Sequence, residues 1–217
     1  MPKKVYLVRH GESEDGAQKL HQLDDVALTE QGIQQAKDVA GRFSHLAINK
    51  IYSSPHRRTM QTAEHIVAVT GAQIEKTALL QERRQPSEII GKLRADPEVV
   101  RIKGLMHEHR NDPGWHFSDE ENLFELRDRV KEFQESLEHE EKENIVIVSH
   151  ALFIKMFTLL GVFGALVTPD LFMAYYLHVR TSQTGITMFD RTEHGWRLLT
   201  WNDYAHLGDD SAEGFHK

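Results

Sequence analysis

The chain has 217 residues, 40% hydrophobic and 27% charged, the balance of an ordinary soluble globular protein long enough to bury a sizeable core. Its net charge of -7 argues against a general nucleic-acid binder, which would carry a basic surface, but allows a local Arg/His cluster that receives a small anion. The absence of cysteine excludes disulfides, thiol catalysis and cysteine zinc sites. MPKKVYLV turns polar too early for a secretory signal. The most apolar run, 151–167, is short, carries Lys155 and is broken by glycines. It is expected to be a buried helix rather than a membrane span, and the location expected for the chain is cytoplasmic.

In chain order, residues 4–8 read as a buried strand. Thr29 then caps a helix in which Ile33, Ala36, Ala40 and Phe43 recur at spacings of three and four. Residues 50–54 form a short strand ended by Pro55, followed by a helix over 58–71 with Ala63, Ile66 and Val67 inward and Gly71 at its C-terminal end. The apolar run before Glu82 is expected to be another strand. The stretch 84–120, with Pro86, Pro97, Pro113 and three histidines, fits the rhythm poorly and is read as an insertion over the sheet, a lid rather than a separate domain. A long amphipathic helix is predicted over 123–143, with Leu126, Val130, Phe133 and Leu137 on one face and a solvated charge run at its far end. Residues 144–150 are a second buried strand, 151–160 a helix, and Thr168-Pro169-Asp170 the cap and first turn of another. Residues 185–190 and 196–201 make a hairpin, and the polar tail 209–217 is expected to be disordered. Strands alternating with helices predict an α/β fold: a mostly parallel central sheet with helices on both faces, as one domain over 1–208.

Ligands of open α/β sheets bind beyond the carboxyl ends of the strands. Three predicted strands end in reactive residues: Arg9-His10-Gly11, the stretch SSPHRRTMQTAE, and Ser149-His150. As parallel neighbours they bring Arg9, His10, Arg57 or Arg58, and His150 to one crevice. Guanidinium groups contact phosphate oxygens bidentately and stay charged at any working pH, so the cluster suits a phosphate. Neutral His10 can attack phosphorus, and the neighbouring cations disfavour its protonation. Gly11 offers no side chain to obstruct a close approach. Glu82, in LLQERR, is the best-placed carboxyl group to protonate a leaving alkoxide.

The ordered set LVRHGES, LTEQGIQQA, IYSSPHRRTMQTAE, LLQER, ENLFELRDRV and VIVSHALFIK, with WNDYAHL near the end, resembles the histidine phosphatase superfamily, in its phosphoglycerate-mutase-like branch 1. The resemblance implies that fold and an enzyme of the histidine acid-phosphatase type. It makes His10 the phosphorylated residue, Arg9, Arg58 and His150 the rest of the phosphate pocket, and Glu82 the general acid. It selects Arg58 over Arg57 by its place three residues after Pro55. It implies neither metal nor organic cofactor. Gly16 stands where relatives often have Asn, with Gln18 or Gln22 as substitute amide donors. RRQPSEIIG after Glu82 lacks the Tyr-Gly-rich sequence of true mutases, which favours a phosphatase over a phosphoglycerate mutase, and the complete set of Arg9, His10, Arg58, Glu82 and His150 argues against an idle phospho-ligand binder.

Arg83 and Arg84 are candidates for a second anionic group or for pairing with the acidic surface, and Thr184 is a candidate pocket residue. Glu12 and Glu14 read as solvated or hydrogen-bonding neighbours. His107, His109 and His116 read as surface histidines rather than metal ligands. Trp115 and Phe117 read as either a small lid core or a substrate wall. The partner expected is a small phosphorylated molecule, with no nucleic acid and no membrane. A homodimer is compatible with the sequence, which does not fix the oligomeric state.

Overall fold

The computed structural model describes residues 3–208, so the tail 209–217 lies outside the described residues. In chain order the elements are β1 (Lys4–Arg9), α1 (Glu14–Ala17), α2 (Glu30–Gly41), β2 (Lys50–Ser53), α3 (Arg57–Thr70) and β3 (Gln73–Lys76). There follow α4 (Pro97–Glu108), α5 (Leu123–Glu138), β4 (Asn144–Ser149), α6 (Ala151–Phe163), α7 (Pro169–His178), β5 (Ile186–Thr192) and β6 (Gly195–Asp203).

The strands form one six-stranded sheet in the order β3-β2-β4-β1-β5-β6. The first four are parallel, and the hairpin β5–β6 adds to β1 antiparallel. β1 and β4 are apolar almost throughout because both of their faces are covered. Val5, Leu7, Ile145 and Ile147 pack with α5 and α6 on one side. Tyr6, Val8, Val146 and Val148 pack with α2 and α3 on the other. The period-two alternation of side chains thus feeds two cores from each strand.

Local signals set the ends. The Thr29 hydroxyl accepts from the Gly32 amide at 2.9 Å, and Gly71 closes α3 in the left-handed region at φ 67°. Three expectations are corrected. The run before Glu82 is a 3-10 turn (Ala78–Leu80), not a strand. The missed strand is β3, whose Gln73, Glu75 and Lys76 are exposed at the sheet edge, so it lacks an apolar signature. The long helix stops at Glu138, and the charge run beyond it is not simply solvated: Glu140 accepts from the Tyr52 hydroxyl at 2.6 Å and pairs with Lys50 at 3.1 Å.

The segment 84–120 carries its own small core of Ile89, Val99, Ile102 and Met106, against which Trp115 and Phe117 pack. Backbone bonds fasten it to the loop after α1: the Gly91 amide donates to the His21 carbonyl at 2.8 Å, the His21 amide to the Lys92 carbonyl at 2.9 Å, and the Arg94 amide to the Lys19 carbonyl at 3.0 Å. Arg110 pairs with Asp170 of α7 at 2.7 Å. No described helix is long and apolar enough to cross a membrane.

Candidate active site

The carboxyl ends of β1, β4 and β2 open into a cleft of about 1410 Å³ roofed by the 84–120 segment. Register brings the first two ends together: Arg9 lies opposite Ser149, and the His10 amide donates to the Ser149 carbonyl at 3.1 Å. His10 and His150 therefore leave neighbouring strands at the same level, with ring centres 5.1 Å apart. Ser54, continuing β2, donates its amide to Val148 at 3.1 Å and places its hydroxyl 2.9 Å from Nε2 of His150. Arg58 enters from the first turn of α3, its guanidinium aimed back at the strand ends.

His10 is buried. Its Nδ1 lies 2.7 Å from the Gly11 carbonyl, so Nδ1 carries the proton and Nε2 keeps its lone pair. Burial, with Arg58 and Arg9 beside it, holds the ring well below the ordinary histidine range. His150, also buried, is pushed the same way by desolvation, then by Arg58 and His10. Burial lowers Arg9 to about 10, opposed by Glu82, so it stays protonated at neutral pH. Nη1 of Arg9 donates to Thr181 O at 2.6 Å, and Nη1 of Arg58 to Leu23 O at 3.0 Å. Among the described residues, Nε of Arg9 and Nε of Arg58 are buried without an acceptor.

Glu82 lines the same cleft. Oε1 accepts from the Arg83 amide at 3.0 Å, and Oε2 accepts from the Leu152 amide at 3.2 Å, in the first turn of α6. The α6 N-terminus begins directly after His150, so one helix start orients both groups. The segment that delivers Glu82 is pinned by Arg129, which donates to Leu79 O and Gln81 O at 2.7 and 2.9 Å and pairs with Glu121 at 2.6 Å.

Arg9, His10, Arg58 and His150 thus line one cleft, together with Glu82 and Arg83. Two expected substrate contacts do not. Gly11 does not line the cleft: its amide donates to the Thr62 hydroxyl at 3.1 Å, and a Cβ there would lie 2.5 Å from the Gly32 carbonyl. Its bareness admits the start of α2, not a ligand. Thr184 is fully buried behind Arg9, its amide on the Arg9 carbonyl at 3.0 Å and its hydroxyl 3.0 Å from His206. The threonine on the cleft is Thr181.

His56, not singled out from sequence, is buried among the site residues. Its Nδ1 accepts from Nη2 of Arg58 at 3.0 Å, and its ring centre is 5.0 Å from that of His150. Its place in the turn between a strand and the helix carrying Arg58 was the available signal. Of the two amides considered near Gly16, Gln22 lines the cleft and Gln18 does not. Arg84 reaches the cleft wall but donates to Asp119 O at 2.6 Å. His116 pairs with Glu125 at 3.0 Å and His109 stacks on Trp115; no described cluster of His, Cys, Asp and Glu is arranged to hold a metal.

The family model for the histidine phosphatase superfamily (branch 1) matches residues 5–204. A relative from Escherichia coli O1:K1 named probable phosphoglycerate mutase GpmB is 30% identical, covering 94% of each chain. Its counterpart from Serratia proteamaculans is 29% identical over the same share. Among solved structures, Bacillus stearothermophilus YhfR superposes with a TM-score of 0.82 at 21% identity, covering 94% of this chain and 99% of that one. The phosphoserine phosphatase of Entamoeba histolytica, solved with 3-phosphoglyceric acid, gives 0.74 at 26% identity over 94% and 99%. With the match running from β1 to just beyond β6, the chain belongs to the histidine phosphatase superfamily, branch 1.

Proposed function

We propose that the protein hydrolyses a small phosphomonoester in two steps. Nε2 of His10 attacks phosphorus while Glu82 gives a proton to the leaving oxygen. Water then attacks the phosphohistidine, with the same carboxylate taking up its proton. Arg9, Arg58 and His150 hold the phosphoryl oxygens and offset charge in the transition state. The observation that carries this reading is the pair of buried guanidinium Nε donors without acceptors, flanking a histidine whose lone pair is free. Glu82, fixed at the start of α6, adds a proton carrier on the same cleft.

Rapid quenching with a labelled phosphomonoester tests it. An acid-labile, base-stable phosphoprotein is expected in the parent and absent in His10→Ala, which should also lose at least a thousandfold in kcat. A His10→Ala protein with full turnover would overturn the mechanism.

The names of the relatives favour a second reading, phosphoglycerate mutase. Tracing the phosphoryl label separates the two: it passes to water in a phosphatase and to the other hydroxyl of the glycerate in a mutase. The sequence after Glu82, without the Tyr-Gly-rich stretch of true mutases, supports hydrolysis.

A further inference from the structure

The stretch WNDYAHL, 201–207, lines no part of the cleft. It begins inside β6, where the ladder with β5 slips. Ile186 faces Asp203 and Met188 faces Thr200, so Trp201 and Asn202 together oppose Thr187 alone. Two residues against one is a β-bulge, a device that re-aims side chains. Asn202 takes the left-handed region at φ 50°, and its amide donates to the Thr187 hydroxyl at 3.2 Å.

Both bulge side chains turn to the loop between α7 and β5. Nε1 of Trp201 donates to the Arg180 carbonyl at 3.0 Å. The buried Asn202 side chain grips Ser182 at both ends: Oδ1 accepts from its backbone amide at 2.7 Å, and Nδ2 donates to its hydroxyl at 3.2 Å. Gly185 permits the fit, since a Cβ there would lie 2.2 Å from Oδ1 of Asn202. Between them Thr184 stands at φ 51°, a conformation costly for a β-branched residue that persists only where the surroundings enforce it.

The enforced loop meets Arg9 three times. The Thr184 amide donates to the Arg9 carbonyl at 3.0 Å, and the Arg9 amide donates to the Gly185 carbonyl at 3.4 Å. The Thr181 carbonyl accepts from Nη1 of Arg9 at 2.6 Å. The first two contacts fix the backbone, and the third fixes the end of the side chain. A hairpin forms without a bulge or a left-handed threonine; a loop that must hold one carbonyl against one guanidinium calls for both. We propose that Asn202 is a positioning residue: by gripping Ser182 it sets the loop whose Thr181 carbonyl aims the Arg9 guanidinium at the oxyanion received in the cleft. That this oxyanion is a phosphoryl group rests on the phosphomonoesterase reading.

Orthovanadate, a phosphate-like oxyanion whose binding needs no turnover, tests the grip by titration calorimetry. Asn202→Gly keeps the left-handed backbone and removes the side-chain amide. It should weaken vanadate binding about tenfold, because a misaimed guanidinium loses its contact. Asn202→Asp can accept from both the Ser182 amide and its hydroxyl, and should restore most of the loss. In an Arg9→Met background Asn202→Gly should have no further effect, whereas a merely structural role would weaken both backgrounds alike. Ser182→Ala removes only the hydroxyl contact and should cost about threefold, again only with Arg9 present. This milder variant decides the matter if Asn202→Gly does not fold. Parental affinity in both Asn202→Gly and Ser182→Ala overturns the proposal. So does a loss of equal size without Arg9, or a parent that binds no vanadate. Turnover of p-nitrophenyl phosphate by the parent separates the two ideas. Vanadate binding that depends on Asn202 through Arg9, without hydrolysis, sinks the phosphatase reading and leaves the grip; hydrolysis with binding indifferent to Asn202 does the reverse.

Discussion

Nδ1 of His56 accepts a hydrogen bond from Nη2 of Arg58 at 3.0 Å, so an uncharged histidine orients the guanidinium on the cleft. Burial and then Arg58 lower the ring to about 4, which keeps the acceptor available at neutral pH. His56→Phe removes the acceptor while keeping an aromatic ring. It is expected to lower kcat/KM for p-nitrophenyl phosphate roughly tenfold through misplacement of Arg58, with His56→Asn recovering part of the loss. Equal kinetics for His56→Phe and the parent would show that Arg58 needs no such support.

Gln22 is predicted to supply the amide that Gly16 cannot. The Ser13 hydroxyl donates to its Oε1 at 3.0 Å, which leaves Nε2 as the free end of a fixed amide on the cleft. Losing a hydrogen bond to a charged group costs about 1.5–3 kcal/mol, so Gln22→Ala should reduce kcat/KM roughly ten- to a hundredfold. Gln18→Ala, off the cleft, should change it little. The reverse pattern would assign the role to the other amide.

Gly11 and Gly32 meet backbone to backbone. Gly11→Ala drives a methyl to 2.5 Å from the Gly32 carbonyl, and Gly32→Ala drives one into the Glu12 backbone. Neither obstacle is a flexible side chain. Each substitution should cost about 1–3 kcal/mol, read as a lower denaturation midpoint. A Gly11→Ala protein of parental stability but impaired phosphate binding would restore the role in ligand approach.

Arg129 holds the turn that presents Glu82, bridging two carbonyls and a partly buried carboxylate. Arg129→Met leaves Glu121 without its cation and frees the turn. A loss of about 2–4 kcal/mol in stability is expected, with kcat falling more than KM rises. A kcat unchanged from the parent would separate the turn from the placement of the acid.

Acid should unfold the protein through its buried histidines. In the unfolded chain each takes a proton near pH 6.5, whereas in the folded state His56 resists until about pH 4, and His10 and His150 are held well below 6.5. Below pH 6.5 the unfolded state therefore binds more protons, and stability, complete above that pH, declines toward pH 4. Each ring adds up to roughly 1.4 kcal/mol per pH unit. Denaturant midpoints at pH 7.5, 6 and 5 should fall steeply; a flat series would mean that these rings are protonated in the fold.

Most of the sheet was legible because β1 and β4 are covered on both faces and so must be apolar. β3 escaped because an edge strand with solvent on its rim needs no such pattern. The cluster of Arg9, His10, Arg58 and His150 on one cleft could be read because each of these residues ends a strand or lies at the start of the helix after it, whereas Glu82 follows a 3-10 turn and was placed by the resemblance rather than by a strand end. Gly11 and Thr184 were misassigned for a common reason. Sequence shows that a residue lies near a reactive one, not which side of the backbone it faces. Gly11 answers to α2, and Thr184 braces the Arg9 carbonyl from behind. His56 was overlooked since its value lies in a contact with Arg58 that only the turn geometry creates.

The pairing of β1 with β4, residue against residue from Lys4–Asn144 to Arg9–Ser149, sets the interval between the two histidines as a ruler sets marks. Their 5.1 Å separation is close to the spacing of adjacent strands, about 4.8 Å. His150 is thus positioned beside His10 by the backbone lattice, not by the loops that roof the cleft. Those loops are free to diverge while the two histidines stay in calibration.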